Sequence, residues 1–343
     1  MKKISLLFVI LTVISCSTKT PVNSDFDYKK IEHIADSIQI ENITVRNLFK
    51  YQILAHQSPD FDSAMIERKV YRPHQKLWDS CYGVIFGEEN GKKFNSPTGM
   101  IKWNRTLLGE DKQYLIKKTK LITDIDLNKL IRKNLSKFSK LVPYQPKAKL
   151  SLLFTPITGI GFGGCNAEQF ALELNNPGVD IQYTLTKGLP HELNHLVYEK
   201  FRNTDPDRES ALSQTIDEGF ACYFTYVFFD KKITPHEAVE NMSQQQWDWY
   251  IKNEREIFDK VKEFFSDTSG NNPLLRNDKI KLFPDAPKTL NYWLGFRIVT
   301  KYVEKHGKDS WKDLYTMTAK EVFSNSGYED YITNLKRKNE LAY

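Results

Sequence analysis

Hydrophobic residues recur every three or four positions in two stretches of the first 142 residues, the spacing of an amphipathic helix. The first set is Ile31, Ile34, Ala35 and Ile38, and the second is Leu127, Leu130, Ile131, Leu135 and Phe138. Between them, residues 82–109 are rich in Gly, Asn and Pro and predict a long loop or irregular hairpin. We therefore predict a mostly helical N-terminal region over residues 29–142, ending at Pro143 and Pro146.

The pattern changes after Pro146. Residues 149–157 are almost continuously apolar, which is typical of a buried strand, and residues 168–174 alternate like a second strand. Residues 158–166 between them are rich in glycine and predict a bend, without the spacing of a phosphate-binding loop. Gly163 and Gly164 either let an extended ligand backbone approach closely or form a plain hairpin turn.

Helical spacing returns in two neighbouring apolar segments. The first covers residues 185–202, with Leu185, Leu189, Leu193, Leu196 and Val197 at helical spacing. The second follows about 20 residues later, with Phe220, Phe224, Val227 and Phe228. Both segments predict helices that bury one face.

A capping pattern marks the start of the next helix. Thr234 is a typical N-cap residue, and Glu237 follows at the position that completes a capping box. We expect this helix to continue to about residue 265. Residues 266–288 are polar and rich in Gly and Pro, which predicts a long loop, and residues 292–304 predict a further helix.

The motif H-E-x-x-H lies inside the first apolar helix. On a helix, His191 and His195 stand four positions apart on one face, so that both imidazoles can bind one Zn²⁺. Glu192 would lie beside the metal, where it can take a proton from the attacking water. The alternative is an exposed helix face with two ordinary histidines, but the apolar flanks indicate a half-buried helix.

A catalytic zinc site also needs a third protein ligand. Glu218 is the candidate, because the 22 residues that separate it from His195 allow a turn and a second, antiparallel helix. Glu218 opens a strongly apolar helix, where a buried carboxylate without a partner would be costly. The sequence therefore predicts Zn²⁺ bound by His191, His195 and Glu218.

The residues Glu-Gly-Phe-Ala that begin at Glu218, following H-E-x-x-H, resemble the pattern of gluzincin metallopeptidases, the thermolysin-like clan. Within that clan the chain looks most like bacterial families of predicted zinc-dependent proteases. The resemblance covers about residues 147–229. It implies that His191, His195 and Glu218 are zinc ligands and that Glu192 is the general base.

Two features of the resembling enzymes are relevant here. They often carry an Asp four residues after the ligand Glu, which orients a zinc histidine, but this chain has Cys222 at that position. Cys222 either lies near the metal or is a small buried hydrophobe. They also keep an edge strand for the substrate, which residues 168–174 are expected to supply.

The predicted fold is α+β, with a gluzincin-like zinc metallopeptidase core in which a small sheet packs on the H-E-x-x-H helix beside the Glu218 helix. The segments on either side are mostly helical. The predicted divisions are a signal peptide (1–15), a tether (16–28), the N-terminal region (29–142), the catalytic core (143–230) and a helical C-terminal region (231–343). An oxyanion donor would complete the site, with Tyr292 as first candidate and Tyr223 as second.

The N-terminus predicts export and anchoring. Lys2 and Lys3 precede an apolar run over residues 4–14, too short to span a membrane. The residues that end at Cys16 resemble a bacterial lipobox, so we expect lipid on Cys16, although an ordinary cleaved signal with an incidental cysteine is the alternative. We expect a cell-envelope lipoprotein, on the periplasmic side rather than the cell surface.

The net charge of +6 is modest, and lysines are spread along predicted helices without the aromatic interleaving of a nucleic-acid site. We expect a monomer that binds no nucleic acid. The predicted function is hydrolysis of peptide bonds in peptide or protein substrates by Glu-assisted attack of water at the zinc. The alternative is a catalytically inactive zinc-site lipoprotein that binds peptide or cell-wall fragments.

Overall fold

The computed structural model describes residues 26–82, 87–109, 112–155, 162–166, 169–177 and 180–340. Its strands are β1 (Ser37–Ile40), β2 (Ile43–Asn47), β3 (Ala148–Leu153), β4 (Phe162–Asn166) and β5 (Gln169–Glu173). They form a mixed sheet in the order β1-β2-β3-β5-β4. The β1/β2 and β4/β5 pairs are antiparallel, whereas β2/β3 and β3/β5 are parallel. The fold class is therefore α+β, as predicted.

Helices make up most of the rest of the described chain. They are α1 (Tyr28–His33), α2 (Leu48–Leu54), α3 (Ser63–Met65), α4 (Gln75–Leu77), α5 (Glu88–Gly91), α6 (Pro97–Thr106), α7 (Lys112–Asp124), α8 (Leu127–Leu141), α9 (Ile181–Tyr183), α10 (Leu189–Arg202), α11 (Ala211–Phe228), α12 (Pro235–Ala238), α13 (Gln244–Val261), α14 (Leu290–His306), α15 (Ala319–Ser326) and α16 (Tyr328–Glu340). Short π-helical segments cover Ile66–Tyr71, Trp78–Tyr82 and Thr184–Gly188, and 3₁₀ segments cover Arg72–His74, Lys262–Phe264 and Ser310–Thr316.

The first difference from the sequence prediction is the pair of strands inside the region predicted to be helical. Ile38, Ile43 and Val45 are fully buried on one side of β1 and β2, so their spacing has the two-residue period of a strand. The helical spacing that begins at Ile31 reflects a helix only within α1. Ile38 matches that spacing by coincidence, because it belongs to β1. Since β2 pairs with β3, the sheet spans the boundary predicted at Pro143.

Two further predictions were wrong in detail. The segment 82–109 contains α5 and α6, because Ser96 accepts a hydrogen bond from the Gly99 amide at 3.0 Å and caps α6 at its Pro97 start. Within the segment 168–174, Gln169–Glu173 does form a strand, but this β5 lies between β3 and β4 and is not the expected edge strand. The edge strands are β1 and β4, and β4 includes Gly163 and Gly164.

The C-terminal region is helical, but the helix predicted to run from Thr234 to about residue 265 is divided. Thr234 and Glu237 form the predicted capping box of α12. The chain then turns at Glu240 and Asn241, which both have φ of 51°, before α13 begins. The loop over 266–288 and the helix over 292–304, within α14, agree with the prediction.

Helices α11 and α14 approach so closely that their backbones touch. A Cβ atom on Gly219 would lie 2.0 Å from the carbonyl carbon of Gly295, and one on Gly295 would lie 1.9 Å from the carbonyl oxygen of Thr215. Only glycine fits at either position. This crossing brings Tyr292, one turn before Gly295, towards Glu218, which adjoins Gly219.

Candidate metal centre

Helices α10 and α11 bring the three predicted ligands together. Nε2 of His191 and Nε2 of His195 are 3.2 Å apart. Oε2 of Glu218 lies 3.2 Å from Nε2 of His191 and 3.4 Å from Nε2 of His195. Three side chains from two helices therefore direct one ligand atom each to a common point.

The size of this triangle fits a zinc ion. Zinc bonds to histidine nitrogen and carboxylate oxygen are about 2.0–2.1 Å long, so two ligands of a tetrahedral site are about 3.3–3.4 Å apart. The three measured separations, 3.2, 3.2 and 3.4 Å, agree with that value. The donor set of two imidazoles and one carboxylate is also one that catalytic zinc sites use.

His195 is oriented by a residue that the sequence reasoning did not identify. Its Nδ1 lies 2.7 Å from Oδ1 of Asp217, and Nε of Arg202 lies 3.7 Å from Oδ2 of the same carboxylate. When Nδ1–H donates to Asp217, the lone pair of Nε2 faces the ligand triangle. Asp217 adjoins Glu218 in sequence, and no spacing rule distinguishes such a neighbour from an ordinary acid.

His191 has a different environment. Its Nδ1 lies 3.8 Å from Sγ of Cys222 and 4.0 Å from Oε1 of Glu240. Cys222 is fully buried, as expected of a small hydrophobe, and its sulfur also contacts the predicted ligand His191. Glu240 is a second acid that the sequence reasoning missed, because it lies in the turn that divides α12 from α13.

Charges in the cluster shift one another's titration. Burial opposes ionisation of Glu218, but the adjacent His195 and His191 hold its pKa well below the usual range. Burial disfavours the charged form of His195, yet the Asp217 and Glu218 carboxylates raise its pKa well above the usual value. The cluster thus favours an ionised Glu218 carboxylate beside a positively charged His195 ring.

Glu192 lies beside the triangle and contributes no ligand atom to it. Burial raises its pKa to about 7, although the nearby His191 and His195 act in the opposite direction. A carboxyl group with a pKa near neutrality is suited to accept and return a proton at pH 7. This is the position and the property expected of the general base.

The two candidates for the oxyanion donor, Tyr292 and Tyr223, have different neighbours. The Tyr292 ring stacks on His191, with centroids 6.1 Å apart and planes 19° apart, and the Glu218 charge raises its pKa. The Tyr223 hydroxyl instead accepts from Nζ of Lys231 at 3.4 Å, and burial raises the pKa of Tyr223, with smaller contributions from Tyr226 and Glu304. Tyr223 therefore contacts Lys231 and Phe296, whereas Tyr292 is the candidate that contacts a predicted ligand.

A tyrosine that the sequence reasoning missed also lies close to the site. Burial raises the pKa of Tyr183 strongly, and the carboxylates of Glu240 and Glu192 raise it further. Tyr183 ends the short helix α9, which leads through a π-helical segment into α10. The helical spacing from Leu185 onward gave no indication that the preceding turn belongs to the same site.

The comparisons with known proteins bear on the lipoprotein interpretation. The model of the family described as "Gliding motility protein GldB" matches residues 182–330, which include the whole ligand cluster. This likeness supports a bacterial lipoprotein. No curated protein and no solved structure matched the chain.

The lipid-bearing cysteine expected at position 16, the signal peptide and most of the tether lie outside the described residues. Among the helices of the described ranges, none is both long and apolar enough to cross a membrane. The family match, for its part, fits a lipoprotein attached to a membrane.

Proposed function

We propose that this chain is a zinc-dependent metallopeptidase. The observation that carries the proposal is the triangle of Nε2 of His191, Nε2 of His195 and Oε2 of Glu218, with sides of 3.2–3.4 Å. Those sides match a tetrahedral zinc site with one position left for water or substrate. Glu192 adjoins the triangle without entering it.

The side chains present can perform peptide hydrolysis. Zinc, when bound, polarises a peptide carbonyl and lowers the pKa of water. Glu192 accepts the proton of the attacking water and then passes it to the leaving amine, for which a pKa of about 7 is suitable. His195 is held for this chemistry by Asp217, whose acceptor oxygen fixes the ring tautomer.

The oxyanion that develops on the scissile carbonyl needs a hydrogen-bond donor. A tyrosine hydroxyl is a donor at neutral pH, and the nearby negative charge of Glu218 raises the pKa of Tyr292 further. Its ring packs on His191, which places it beside the metal ligands. We propose Tyr292 as the donor, with Tyr183, which is influenced by Glu240 and Glu192, as a further tyrosine of the site.

The likeness to gluzincins supports the same function, since that clan combines H-E-x-x-H with a glutamate ligand on a second helix. The lipoprotein interpretation gives the location. We propose that lipid on Cys16 holds the enzyme at a membrane facing the periplasm, where the substrates would be peptides or proteins of the cell envelope. The match to a gliding motility family indicates a bacterial envelope setting and specifies no reaction.

Metal analysis of the purified protein tests this proposal. We expect about one zinc per chain, and His191→Ala should lose most of it. His33→Ala is the matched control, because His33 is exposed on α1 and should leave zinc content unchanged. Wild-type protein that stays metal-free in excess Zn²⁺ would refute the zinc site.

A peptide-library cleavage screen then separates the two functions. Hydrolysis that depends on added zinc supports the peptidase. Zinc and peptide binding without any cleavage would instead support the alternative, an inactive zinc-site lipoprotein that binds peptide or cell-wall fragments. The intact Glu192 favours the peptidase, because a site that only binds peptide does not need a base.

A further inference from the structure

The outer ring nitrogens of the two zinc-site histidines have unlike partners. Nδ1 of His195 has the Asp217 carboxylate at 2.7 Å. Nδ1 of His191 faces the Cys222 sulfur at 3.8 Å, with Oε1 of Glu240 at 4.0 Å. Histidines that bind zinc usually donate this second N–H to a carboxylate, a carbonyl or water, which fixes the ring and raises its basicity.

The turn that carries Glu240 is held in an unfavourable backbone conformation. Glu240 and Asn241 both have φ of 51°, in the left-handed region that residues with a Cβ rarely adopt. Two contacts close the turn: Nδ1 of His236 lies 2.7 Å from the Met242 carbonyl oxygen, and the Asn241 amide donates to the Glu237 carbonyl at 3.3 Å. Such conformations persist only where the surrounding structure enforces them.

The same turn is fixed at two points, one just before the H-E-x-x-H helix and one on α11. Nζ of Lys187, just before α10, pairs with Oε1 of Glu237 at 3.1 Å. The backbone amide of Glu240 donates a hydrogen bond to the Cys222 sulfur. The Glu240 carboxylate is therefore directed to the back of His191 by α12, by α11 and by the residues that lead into α10.

We propose that Glu240 is the positioning carboxylate of His191, with the Cys222 sulfur as the adjacent acceptor. The inference rests on the proposed zinc site and adds the group that orients its first ligand. In the resembling enzymes an Asp four residues after the ligand Glu often has this task. Here the carboxylate comes from the turn after α12, and the side chain of Cys222 is small enough to leave room for it.

The Glu240→Gln variant tests the proposal, since it keeps the size of the side chain and removes its charge. We expect zinc to bind on the order of 10–100-fold more weakly. The signal of His191 Nδ1–H in zinc-loaded protein labelled with ¹⁵N-histidine should also shift, because its acceptor changes. The melting temperature without zinc should change little, since the Glu240 side chain is 39% exposed.

Glu304→Gln is the control for loss of one negative charge. Glu304 is exposed and pairs with Lys301 on α14. The zinc affinity and the histidine signals of the Glu304→Gln protein should therefore match those of the wild type. In the Glu240→Gln background, Cys222→Asp should restore part of the zinc affinity by returning a carboxylate to α11. If that double variant does not fold, Glu240→Asp should bind zinc more tightly than Glu240→Gln.

Two results would overturn the proposal. One is Glu240→Gln protein with wild-type zinc affinity and an unshifted His191 signal. The other is two zinc ions per wild-type chain, since His191, Cys222 and Glu240 would then be ligands of a second ion. A wild type that binds no zinc at all would instead refute the proposed function, so the two failures are distinguishable.

Discussion

Glu254 and the half-buried Glu218 each lie in a cluster of polar side chains, and the two clusters are built in opposite ways. Glu254, 1% exposed, accepts hydrogen bonds from Nε of Arg297 at 2.8 Å, from the Tyr328 hydroxyl at 3.0 Å and from the Tyr331 hydroxyl at 3.1 Å. Its charge is matched by a permanent cation and by two donors that point at it.

The ligand cluster has no permanent cation at its centre. Glu218 meets two histidine nitrogens at 3.2 and 3.4 Å, and those nitrogens meet each other at 3.2 Å. Three atoms that each carry a lone pair converge here. Only protons or a metal ion can offset the repulsion between these lone pairs. The difference teaches that a buried acid is structural when its partners are donors, and is a ligand candidate when its partners are other acceptors.

Glu192 gives the largest expected effect and tests the ligand cluster directly. Glu192→Gln should lower peptide hydrolysis on the order of 10²–10⁴-fold, because the amide cannot accept a proton at neutral pH. Zinc content and melting temperature should stay near wild type, since the ligand atoms are unchanged. Kinetics with zinc-loaded protein check this, and hydrolysis at the wild-type rate would exclude Glu192 as the base.

Glu254 should behave in the reverse manner. Glu254→Ala should reduce the free energy of unfolding by about 3–5 kcal/mol, because Arg297 is left buried without its carboxylate. Zinc content should stay unchanged. Urea denaturation measures the loss, and Glu256→Ala on the exposed face of α13 is the control, expected to change stability by about 0.5 kcal/mol or less. A Glu254 variant as stable as that control would mean that the cluster is not a structural ion pair.

The stabilisation of the fold by zinc should depend on the cluster of Glu218 and not on the cluster of Glu254. With free zinc at 100 times its Kd, the wild type should gain about 2.7 kcal/mol in unfolding free energy. Glu218→Ala should lose that gain, whereas Glu254→Ala should keep it on a lower baseline. Thermal unfolding with zinc and with a chelator measures both, and an equal gain in wild type and Glu218→Ala would show that zinc binds elsewhere.

Sequence reasoning located His191, Glu192, His195 and Glu218 because their chemistry is tied to helical spacing, which is a local property. It missed Asp217 and Glu240 for different physical reasons. Asp217 has no spacing signal of its own beside Glu218. The position of Glu240 depends on a left-handed turn, and glutamate is not a residue type that predicts such a turn. It missed β1 and β2 because a strand's two-residue period can coincide with helical spacing over a few positions.

The close crossing of α11 and α14 places Tyr292 beside His191 and Tyr223 beside Phe296. The spacing from Tyr292 to Gly295 is meaningful only because Gly295 lets its helix reach Gly219. Tyr223, one turn beyond Gly219 on α11, packs instead against Phe296, with ring centroids 5.7 Å apart. Neither contact can be inferred from one helix alone.

The smallest effect that we predict follows from this crossing. Gly295→Ala should destabilise the protein by about 1–3 kcal/mol, because the new methyl group would meet backbone atoms that cannot rotate away. Since α14 must then shift from α11, the Tyr292 ring should also leave His191, and hydrolysis should fall more than zinc content. Gly270→Ala is the control, because a Cβ there would meet no atom within 4 Å. Urea denaturation and kinetics of both variants test the argument, and a Gly295→Ala protein with wild-type stability and activity would show that the helices do not need this contact to form the site.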